Sequence, residues 1–537
     1  MRLFLSLLSL LALGGAALAA GEPASADLKA EAMLTDAGLL PWLAVLPIVI
    51  PFLGSAITLA LRTSLGLQSL LALVSLALGT VAAVALNVAV ATHGPLMMAA
   101  GSWLPPFGIV VAVDQLSAML VLIALLVGLI GLSYARGTVE QAGVRYGFYT
   151  FYLLLISGVC GAFSTGDIFN LYVWFEVFLV SSFGLIVHGC APKQLDGAVK
   201  YGVLNLIATS LFLIAVAALY GATGTLNMAD IRGVLAELDA APVVTFGALF
   251  VLAFAMKAAA FPLHVWLPAS YHTPRVVVSA VFAGLLTKVG VYCLMRIMVM
   301  LFGEAGGPFL SLLAWIGVAT AIIGAAAALA QDSLKRMAAF LVVSGVGVML
   351  IGVGLGTASS LSGAIVYTVH SILVMTALFL VIGLAERLAG AERLSFAGGL
   401  YGGHALAAAL FLVFGLSASG LPPFSGFWPK LMLVQASLAG SGTLAIACAL
   451  GVILSGFLTT IAVGRVWALV YLRPVPEGSP TTVGSDHGGL MSASVVVLAI
   501  LVVGLGIFPA TVIEPAQQAA AGLIDPSAYV RAVLGAP

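Results

Sequence analysis

The chain has 537 residues, of which 62% are hydrophobic and only 7% are charged, with a formal net charge of +0. Soluble domains carry about 25% charged residues, so this composition excludes an ordinary soluble protein. The sequence has no long basic or acidic block to bind nucleic acid, and its four scattered cysteines form no CxxC pair. Since nucleotide, dinucleotide and haem motifs are also missing, we predict no metal site and no cofactor.

The first twenty residues form a distinct segment. Arg2 precedes an apolar run that closes with Ala17, Leu18 and Ala19, and a polar stretch follows at 21–37. This pattern is typical of a cleavable N-terminal signal peptide, with a retained membrane helix as the alternative. In either case, the chain that follows is predicted to start on the external side of the membrane.

Apolar runs of about 20 residues recur along the rest of the chain, and a run of that length can span a bilayer as a helix. They predict an all-α integral membrane protein with about 14 transmembrane helices. The predicted spans are 38–61, 67–91, 114–134, 147–164, 167–188, 198–220, 242–262, 274–300, 308–330, 336–354, 360–385, 404–439, 444–472 and 490–509. Span 12 is long and interrupted.

Basic residues give the orientation of these spans. With the mature N-terminus outside, the connections after odd-numbered spans are cytoplasmic and carry most of the Lys and Arg residues. The cytoplasmic set is Arg62, Arg136, Arg145, Lys193, Lys200, Arg275, Lys335, Arg336, Arg387, Arg393 and Arg473, against Lys29, Arg232 and Arg531 outside. This positive-inside bias predicts a multi-pass protein of the cytoplasmic (inner) membrane with both termini external.

Six charged residues remain inside the predicted spans. An ionisable group in hydrocarbon costs at least about 2.5–3.5 kcal/mol, so such groups usually face a bundle interior or a water-filled path. Arg296 and Arg465 lie towards helix ends, where long side chains can snorkel to the interface, and we interpret both as structural. The others are Glu176, Lys257, Lys288 and Lys430.

Glu176 and Lys257 are candidates for an ion pair, because Glu176 has no basic partner within its own span. A carboxylate and a lysine buried together keep each other charged, whereas separation favours the neutral form of each. A lysine in that position can pass on a proton, which makes a proton carrier one interpretation. A static ion pair that fixes helix packing is the other.

Proline interrupts span 7 in "MKAAAFPLHVWLP". Pro262 cannot donate a backbone hydrogen bond, and carbonyl groups freed within a membrane need protein or cavity water as partners. A hydrated pocket beside Lys257 is therefore predicted. His264 follows the break and is a secondary candidate, with an interfacial histidine bonded to backbone as the alternative.

A second break lies in span 12, in "SASGLPPFSGFWPKLMLVQ". Gly420, Pro422 and Pro423 interrupt the helix, and Lys430 stands just beyond them. Two broken helices with lysines suggest an internal repeat, since transporters often place ion sites at matching discontinuous helices. His370, in the middle of span 11, could bridge proton transfers near neutral pH or be a hydrogen-bonded core histidine.

Six motifs in order resemble the proton-conducting antiporter-like family, which includes membrane subunits of complex I and of membrane-bound hydrogenases. They are "TGDIFNLYVWFEVFLVSSFGLIV", "GTLNMADI", "KAAAFPLHVWLPASYHTP", "FAGLLTKVGVY", "DSLKRMAAFLVVSGVGVMLIG" and "SGLPPFSGFWPKL". Within the family, the chain is most similar to the D-type branch of the Mrp-type multisubunit cation/proton antiporters. The resemblance covers about residues 40–470.

The resemblance implies two inverted five-helix repeats, spans 4–8 and 9–13, with helices 7 and 12 broken. The implied divisions are 1–20 (signal peptide), 21–37 (external segment), 38–141 (helices 1–3), 142–303 (first repeat), 304–472 (second repeat) and 473–537 (helix 14 and external tail). The implied proton path consists of Glu176, Lys257, Lys288, His370 and Lys430. Asp167, in the "TGDIFN" motif, is a secondary candidate.

One departure from the family pattern concerns span 11. Members of the D-type branch usually read like "HDMxxKAALFL" from the histidine onwards, whereas this chain reads "HSILVMTALFL". Ser371 therefore replaces the usual acid and Met375 the usual lysine. The second repeat thus has His370 and Lys430 to carry a proton path without these two titratable groups.

The expected function is proton translocation as one membrane subunit of a Na⁺ or K⁺/proton antiporter, a transporter component rather than an enzyme. Its expected partners are protons, the exchanged cation, the lipid bilayer and the other membrane subunits of a hetero-oligomeric complex. The alternative is an antiporter-like subunit of a complex I-like NADH:quinone oxidoreductase or a membrane-bound hydrogenase. A scaffold that conducts no ions is a third alternative, which fits Ser371 and Met375 but fits the retained charged residues poorly. These are Glu176, Lys257, Lys288 and Lys430.

Overall fold

The structure is a computed structural model that describes residues 38, 40–477 and 489–535. The elements that position the candidate site lie in one compact unit, which begins at residue 42. The predicted signal peptide at 1–20 and the polar segment at 21–37 lie outside the described residues.

The first part of the fold consists of helices joined by short connections and one small hairpin. In chain order, the elements are α1 (Leu40–Ala60), α2 (Leu65–His93), β1 (Leu96–Ala99), β2 (Val110–Val113), α3 (Gln115–Ala135), α4 (Gln141–Arg145), α5 (Phe148–Ser164), α6 (Ile168–Ile186), α7 (Pro192–Thr223), α8 (Met228–Leu235), α9 (Ala240–Ala258), α10 (Trp266–Ser270) and α11 (Val276–Leu294). Helix α11 continues as a wider π-helical segment, Met295–Leu301.

The second part is also helical. Its elements are α12 (Gly307–Leu329), α13 (Leu334–Leu355), α14 (Ala358–Ala389), α15 (Leu400–Gly403), α16 (Ala405–Ser419), α17 (Phe427–Leu438), α18 (Thr443–Val466), α19 (Gly489–Ile507), α20 (Ala510–Ile524) and α21 (Ser527–Leu534). Helix α18 ends in a π-helical segment, Trp467–Leu472.

An all-α integral membrane fold is confirmed. Within the described ranges, twelve helices are long and apolar enough to cross a membrane, and each coincides with a predicted span. Two shorter apolar helices, α5 and α16, lie at predicted spans 4 and 12. Only helices satisfy their own backbone hydrogen bonds in hydrocarbon without forming a closed barrel, which explains the dominance of this one element.

Three helices occupy the middle of the bundle. The most apolar windows of α11, α13 and α14 are 94%, 89% and 100% buried, whereas the corresponding figure for α2 is 33%. Helix α11 packs against both α9 and α14, and α14 packs against α17. The mid-span lysines and histidine of the sequence therefore lie on helices that touch one another.

Both predicted breaks are present, but the first begins earlier than expected. The predicted span 7 reaches Pro262, whereas α9 ends at Ala258 because Ala259 takes a left-handed conformation with φ of 61°. Predicted span 12 divides into α16 and α17, with Pro422 and Pro423 in the connection between them.

Two features on the connections were not predicted. The antiparallel hairpin β1–β2 joins α2 to α3. Beyond the last predicted span, α20 and α21 form two further helices in the segment expected to be a tail. Helix α20 packs on α14 and α3, and α21 contacts the hairpin.

Helices α12 and α13, in the second part of the fold, cross with their backbones in close contact. A Cβ atom on Gly347 would lie 2.1 Å from Ala321 N and 2.6 Å from Gly317 O. The two backbones are therefore in direct contact, which is how small residues drive helix association in membranes.

We expect Gly347→Leu to separate α12 from α13 and to destabilise the protein by about 1–3 kcal/mol or more, because the side chain must displace backbone. Thermal unfolding of the detergent-purified protein measures this loss. Gly221→Leu is the matched control, since nothing lies within 4 Å of a Cβ atom there. Equal melting temperatures for the two variants would contradict the close crossing.

Candidate functional site

Lys257 lies at the last turn of α9 and is 4% exposed. Its ammonium donates hydrogen bonds to the Asn205 carbonyl oxygen at 3.2 Å and to Thr209 Oγ1 at 3.1 Å, both on α7. The ammonium also lies 5.4 Å from the centre of the Phe175 ring, within the range of a cation–π contact. The buried charge is therefore held by neutral groups.

Glu176, on α6, is half-buried and lies outside the 4.0 Å limit for an ion pair with Lys257. Its negative charge still attracts the Lys257 ammonium. It also interacts electrostatically with Tyr172, which lies one turn earlier than Glu176 on α6. The structure therefore places the predicted partners near each other but not in direct contact.

The end of α9 is closed by protein groups. The Met256 carbonyl accepts hydrogen bonds from the Ala259 amide at 3.1 Å and from the Trp266 indole at 3.0 Å. The Ala255 carbonyl accepts from the Ala260 amide at 2.9 Å. The Ala255 and Met256 carbonyls therefore have protein donors, because the chain folds back to supply them, and the hydrated pocket beside Lys257 stays a prediction.

Lys288 lies in the middle of α11 and is fully buried. Its ammonium donates to the Ala283 carbonyl oxygen at 2.5 Å, and no carboxylate of the described residues lies within ion-pair distance. The neighbouring helices α9 and α14 pack closely against α11 near Lys288. A Cβ atom on Gly290 would lie 2.7 Å from Ala258 N of α9, and one on Gly284 would lie 2.2 Å from Thr376 Oγ1 of α14.

Lys430, on α17, reaches back across the second break. Its ammonium donates to the carbonyl oxygens of Ala418 at 3.1 Å and Ser419 at 2.8 Å, which are the last two residues of α16. Gly420 takes a φ of 88°, and a Cβ atom there would lie 2.5 Å from Lys430 Cδ. Glycine is therefore required both for the turn and for the approach of the lysine.

His370, in the middle of α14, is 2% exposed and connects to the same break. Its Nδ1 atom is 2.9 Å from Ser425 Oγ, which lies 3.2 Å from Ser417 Oγ on α16. The positive charges of Lys430 and Lys288 both interact electrostatically with the His370 ring. His370, Ser425 and Ser417 thus form a chain of hydrogen-bonding side chains. Ser417 directly precedes Ala418 and Ser419, whose carbonyl groups bind Lys430.

Ser371 and Met375, the two departures from the family pattern, are both buried on α14. The Ser371 hydroxyl has no hydrogen-bond partner among the residues that the structure describes. Neither residue can carry a charge in the way the usual acid and lysine would. The groups near the second break that can exchange protons therefore include His370, Lys430 and the Ser425 and Ser417 hydroxyl groups.

Within the part of the chain that the structure describes, the secondary candidates make no hydrogen bond to Lys257, Lys288, His370 or Lys430. Asp167 caps α6, with its Oδ1 accepting the Asn170 amide at 2.6 Å, and its observed contacts serve local structure. The His264 ring, beyond the first break, lies 5.7 Å from the Phe261 ring, and its buried Nδ1 has no hydrogen-bond partner in the described ranges. Pro262 lies in the connection between α9 and α10.

A buried ion pair was missed from the sequence. Arg296 is 1% exposed, and its guanidinium makes two hydrogen bonds to the Asp114 carboxylate at 2.6 Å and 2.8 Å. Ser117 and Tyr292 make further hydrogen bonds to it. Arg296, which the sequence places towards a helix end where snorkelling is possible, is instead buried against Asp114, a partner 182 residues away along the chain.

A second ionic cluster joins α13 and α14 at their shared end. Lys335 contacts Glu386 at 2.9 Å, and both side chains are only 9% exposed. Glu392 links this pair to Lys193 of α7 at 2.8 Å. Burial alone would raise the pKa of Glu392, but the hydrogen bond from Lys193 and the charge of Lys335 hold it below its usual value. Lys335, expected as a loop charge, is thus part of the packed bundle.

Comparison with known proteins defines the class. Residues 165–457 match the family described as NADH:quinone oxidoreductase/Mrp antiporter, transmembrane region. The chain belongs to this family. It is also 35% identical to the D-type subunit of the Na⁺/H⁺ antiporter of Alkalihalophilus pseudofirmus over 493 residues, which are 92% of this chain and 99% of that protein.

Solved structures agree with the family. The chain is similar to one in the structure of the Mrp complex from Dietzia sp., with a TM-score of 0.85 and 29% identity over 93% of this chain and 100% of that one. It is also similar to a chain of the archaeal membrane-bound sulfane sulfur reductase, with a TM-score of 0.82 and 26% identity over 91% and 99% of the two chains.

We expect Arg296→Met to destabilise the protein by about 3–5 kcal/mol, because it leaves the Asp114 carboxylate buried without a partner. The double change Asp114→Asn with Arg296→Met should recover more than half of that loss. Lys200→Met is the control, since its pair with Asp196 is about half exposed and worth about 0–1 kcal/mol. Melting curves of the purified protein that agree for Arg296→Met and Lys200→Met would refute the role assigned to the pair.

Proposed function

We propose that this chain is the proton-translocating membrane subunit of a multisubunit Na⁺ or K⁺/proton antiporter. The observation that carries the proposal is the buried row of Lys257, Lys288, His370 and Lys430, which lie on helices that contact one another in that order. The similarity to a named component of a Na⁺/H⁺ antiporter over nearly the whole chain supports the same function. The partners would be the other membrane subunits of such a complex, in the cytoplasmic membrane with both termini external.

In the first half, Glu176 and Lys257 control the proton. When the two groups approach each other, the carboxylate stabilises the ammonium. When they separate, as they are arranged here, burial favours release of the proton towards Lys288. Lysine suits this role because it can lose its proton when buried, which arginine does not do.

In the second half, the proton passes between His370 and Lys430. Ser425 and Ser417 supply hydroxyl groups that can each accept one proton and donate another. These hydroxyl groups stand in for the acid and the lysine that Ser371 and Met375 replace. The proposed proton path between His370 and Lys430 therefore needs no further charged residue on α14.

A redox-driven complex is the second candidate, favoured by the similarity to the archaeal sulfane sulfur reductase. The same proton path would then be driven by electron transfer in other chains. The composition of the complex purified through a tag on this chain distinguishes the two. Small membrane antiporter subunits support the proposal, whereas iron–sulfur or flavin subunits support the alternative.

Lys257→Arg should reduce cation/proton exchange in everted vesicles at least about tenfold, because the guanidinium keeps its proton. Glu176→Gln should reduce it comparably by removing the charge that acts on Lys257. Lys200→Arg, on the exposed end of α7, is the control and should retain full exchange. Unchanged exchange in both variants, with the complex assembled normally, would rule out the proposed mechanism.

Ser425→Ala should slow exchange several-fold, since it removes the hydroxyl between His370 and Ser417, whereas Ser425→Thr should retain much of the rate. Ser437→Ala is the matched control, because that buried serine on α17 donates only to the Leu433 carbonyl of its own helix. Initial rates in the same vesicles measure the difference. Equal rates for Ser425→Ala and Ser437→Ala would show that the hydroxyl chain carries no protons.

A further inference from the structure

Arg232 departs from the charge pattern of the chain, because it is one of the few basic residues that the sequence assigns to the external side. It lies half-buried on α8, which packs against the π-helical segment that continues α11. Its guanidinium donates to the Met300 carbonyl oxygen of that segment. It forms no ion pair with any residue that the structure describes, so its remaining N–H groups can bind an anion.

A cavity of about 630 Å³ opens beside this guanidinium. Small-molecule sites in proteins measure about 300–1,000 Å³, so the cavity is large enough for a ligand. Its charged lining residues are Arg232 and Glu304, and Glu304 lies exposed in the short turn before α12. Within the described ranges, Glu304 also has no ion-pair partner. One positive and one negative group therefore border the same cavity but are too far apart to pair with each other.

The rest of the lining is apolar and comes largely from the ends of three predicted membrane spans. Val243 and Val244 belong to the start of α9, Leu301 to the end of the π-helical segment and Pro308 to the start of α12. Successive spans alternate in direction, so the start of span 7, the end of span 8 and the start of span 9 lie at one membrane surface. In the predicted orientation this surface is external.

The charged and apolar parts of the lining follow the order of a phospholipid. Arg232 and Glu304 lie outside the predicted spans, whereas Val243 and Val244 lie just inside the start of span 7. A phospholipid likewise has its headgroup at the interface and its acyl chains in the hydrocarbon, and basic pockets between membrane helices bind such headgroups.

The pair of separated charges selects among headgroups. A guanidinium matches the geometry of a phosphate, and a carboxylate accepts charge-assisted hydrogen bonds from an ammonium. A zwitterionic headgroup with a primary amine supplies both partners. A phosphatidylglycerol headgroup has no amine and would leave the Glu304 carboxylate close to a negative phosphate.

We infer that this cavity binds one phospholipid of the phosphatidylethanolamine class from the outer leaflet, with its phosphate on Arg232 and its ammonium on Glu304. Its acyl chains would lie along Val243 and Val244. Arg232 belongs to the implied first repeat and Glu304 to the second, so the lipid would connect the two repeats at the membrane surface. The inference does not depend on the proposed function.

Photo-cross-linking tests the site in the complex purified through a tag on this chain. The complex is placed in phosphatidylcholine nanodiscs that contain a trace of phosphatidylethanolamine with a photoreactive acyl chain, and the cross-linked peptides are mapped by mass spectrometry. We expect cross-links on the peptides that contain Val243, Val244 or Leu301. Unlabelled phosphatidylethanolamine should compete at least about tenfold better than phosphatidylcholine, whose headgroup cannot donate a hydrogen bond to Glu304.

Arg232→Gln should lower this cross-linking at least about tenfold, because a neutral amide lacks the charge that holds the phosphate. Arg531→Gln is the matched control, since this arginine lines the neighbouring cavity beside α21 but not this one, and it should leave the cross-linking unchanged. Glu304→Gln should retain cross-linking but remove the preference for phosphatidylethanolamine over phosphatidylcholine. Because Glu304 is exposed, this variant provides the test if Arg232→Gln does not assemble.

Four results would overturn the inference. The first is an absence of cross-links on these peptides in the unmodified complex, including the case in which a neighbouring subunit occupies the cavity. The second is an equal loss of cross-linking in Arg232→Gln and Arg531→Gln. The third is equal competition by phosphatidylethanolamine, phosphatidylcholine and phosphatidylglycerol. The fourth is competition by soluble phosphoethanolamine as strong as that by the lipid, because the apolar wall would then contribute nothing to binding.

Discussion

A helix that ends inside a membrane must find partners for its last carbonyl groups, and the candidate site depends on how this chain meets that requirement. The two breaks use different donors. At the first, the backbone folds back and the Trp266 indole closes the end of α9. At the second, the Lys430 ammonium crosses from α17 to bind the end of α16. One break is therefore closed by neutral groups and the other by a titratable one.

The same constraint explains why the bundle tolerates three buried lysines, Lys257, Lys288 and Lys430. Each ammonium is surrounded by carbonyl or hydroxyl oxygen atoms rather than by carboxylates. Such oxygen atoms solvate a charge well enough to keep it in the bundle. They stabilise it less than a direct ion pair would, which is what the proposed proton transfer requires. The contrast is Arg296 with Asp114, where a bidentate pair fixes a permanent charge in a purely structural position.

Much of this fold could be predicted from the sequence. The lengths of the apolar runs and the basic residues in the connections both indicate where the chain crosses the membrane. The breaks were visible as prolines and glycines. Three features had no local signal. Ala259 ends α9 early through a conformation that composition does not reveal, Arg296 finds a partner 182 residues away, and α20 is too polar to be recognised as part of the bundle. Tertiary contacts decide all three. The separation of Glu176 from Lys257 likewise depends on helix placement, which the residue types alone do not determine.

Lys430 has a further consequence as the cap of α16. The carbonyl end of a helix carries about half a negative charge, and a cation there stabilises it by about 0.3–1 kcal/mol, or more where it is partly buried. A proton that leaves Lys430 therefore removes a positive charge from a helix terminus in the middle of the membrane. In the proposed mechanism, the stability of the α16 end would therefore follow the protonation state of a single lysine.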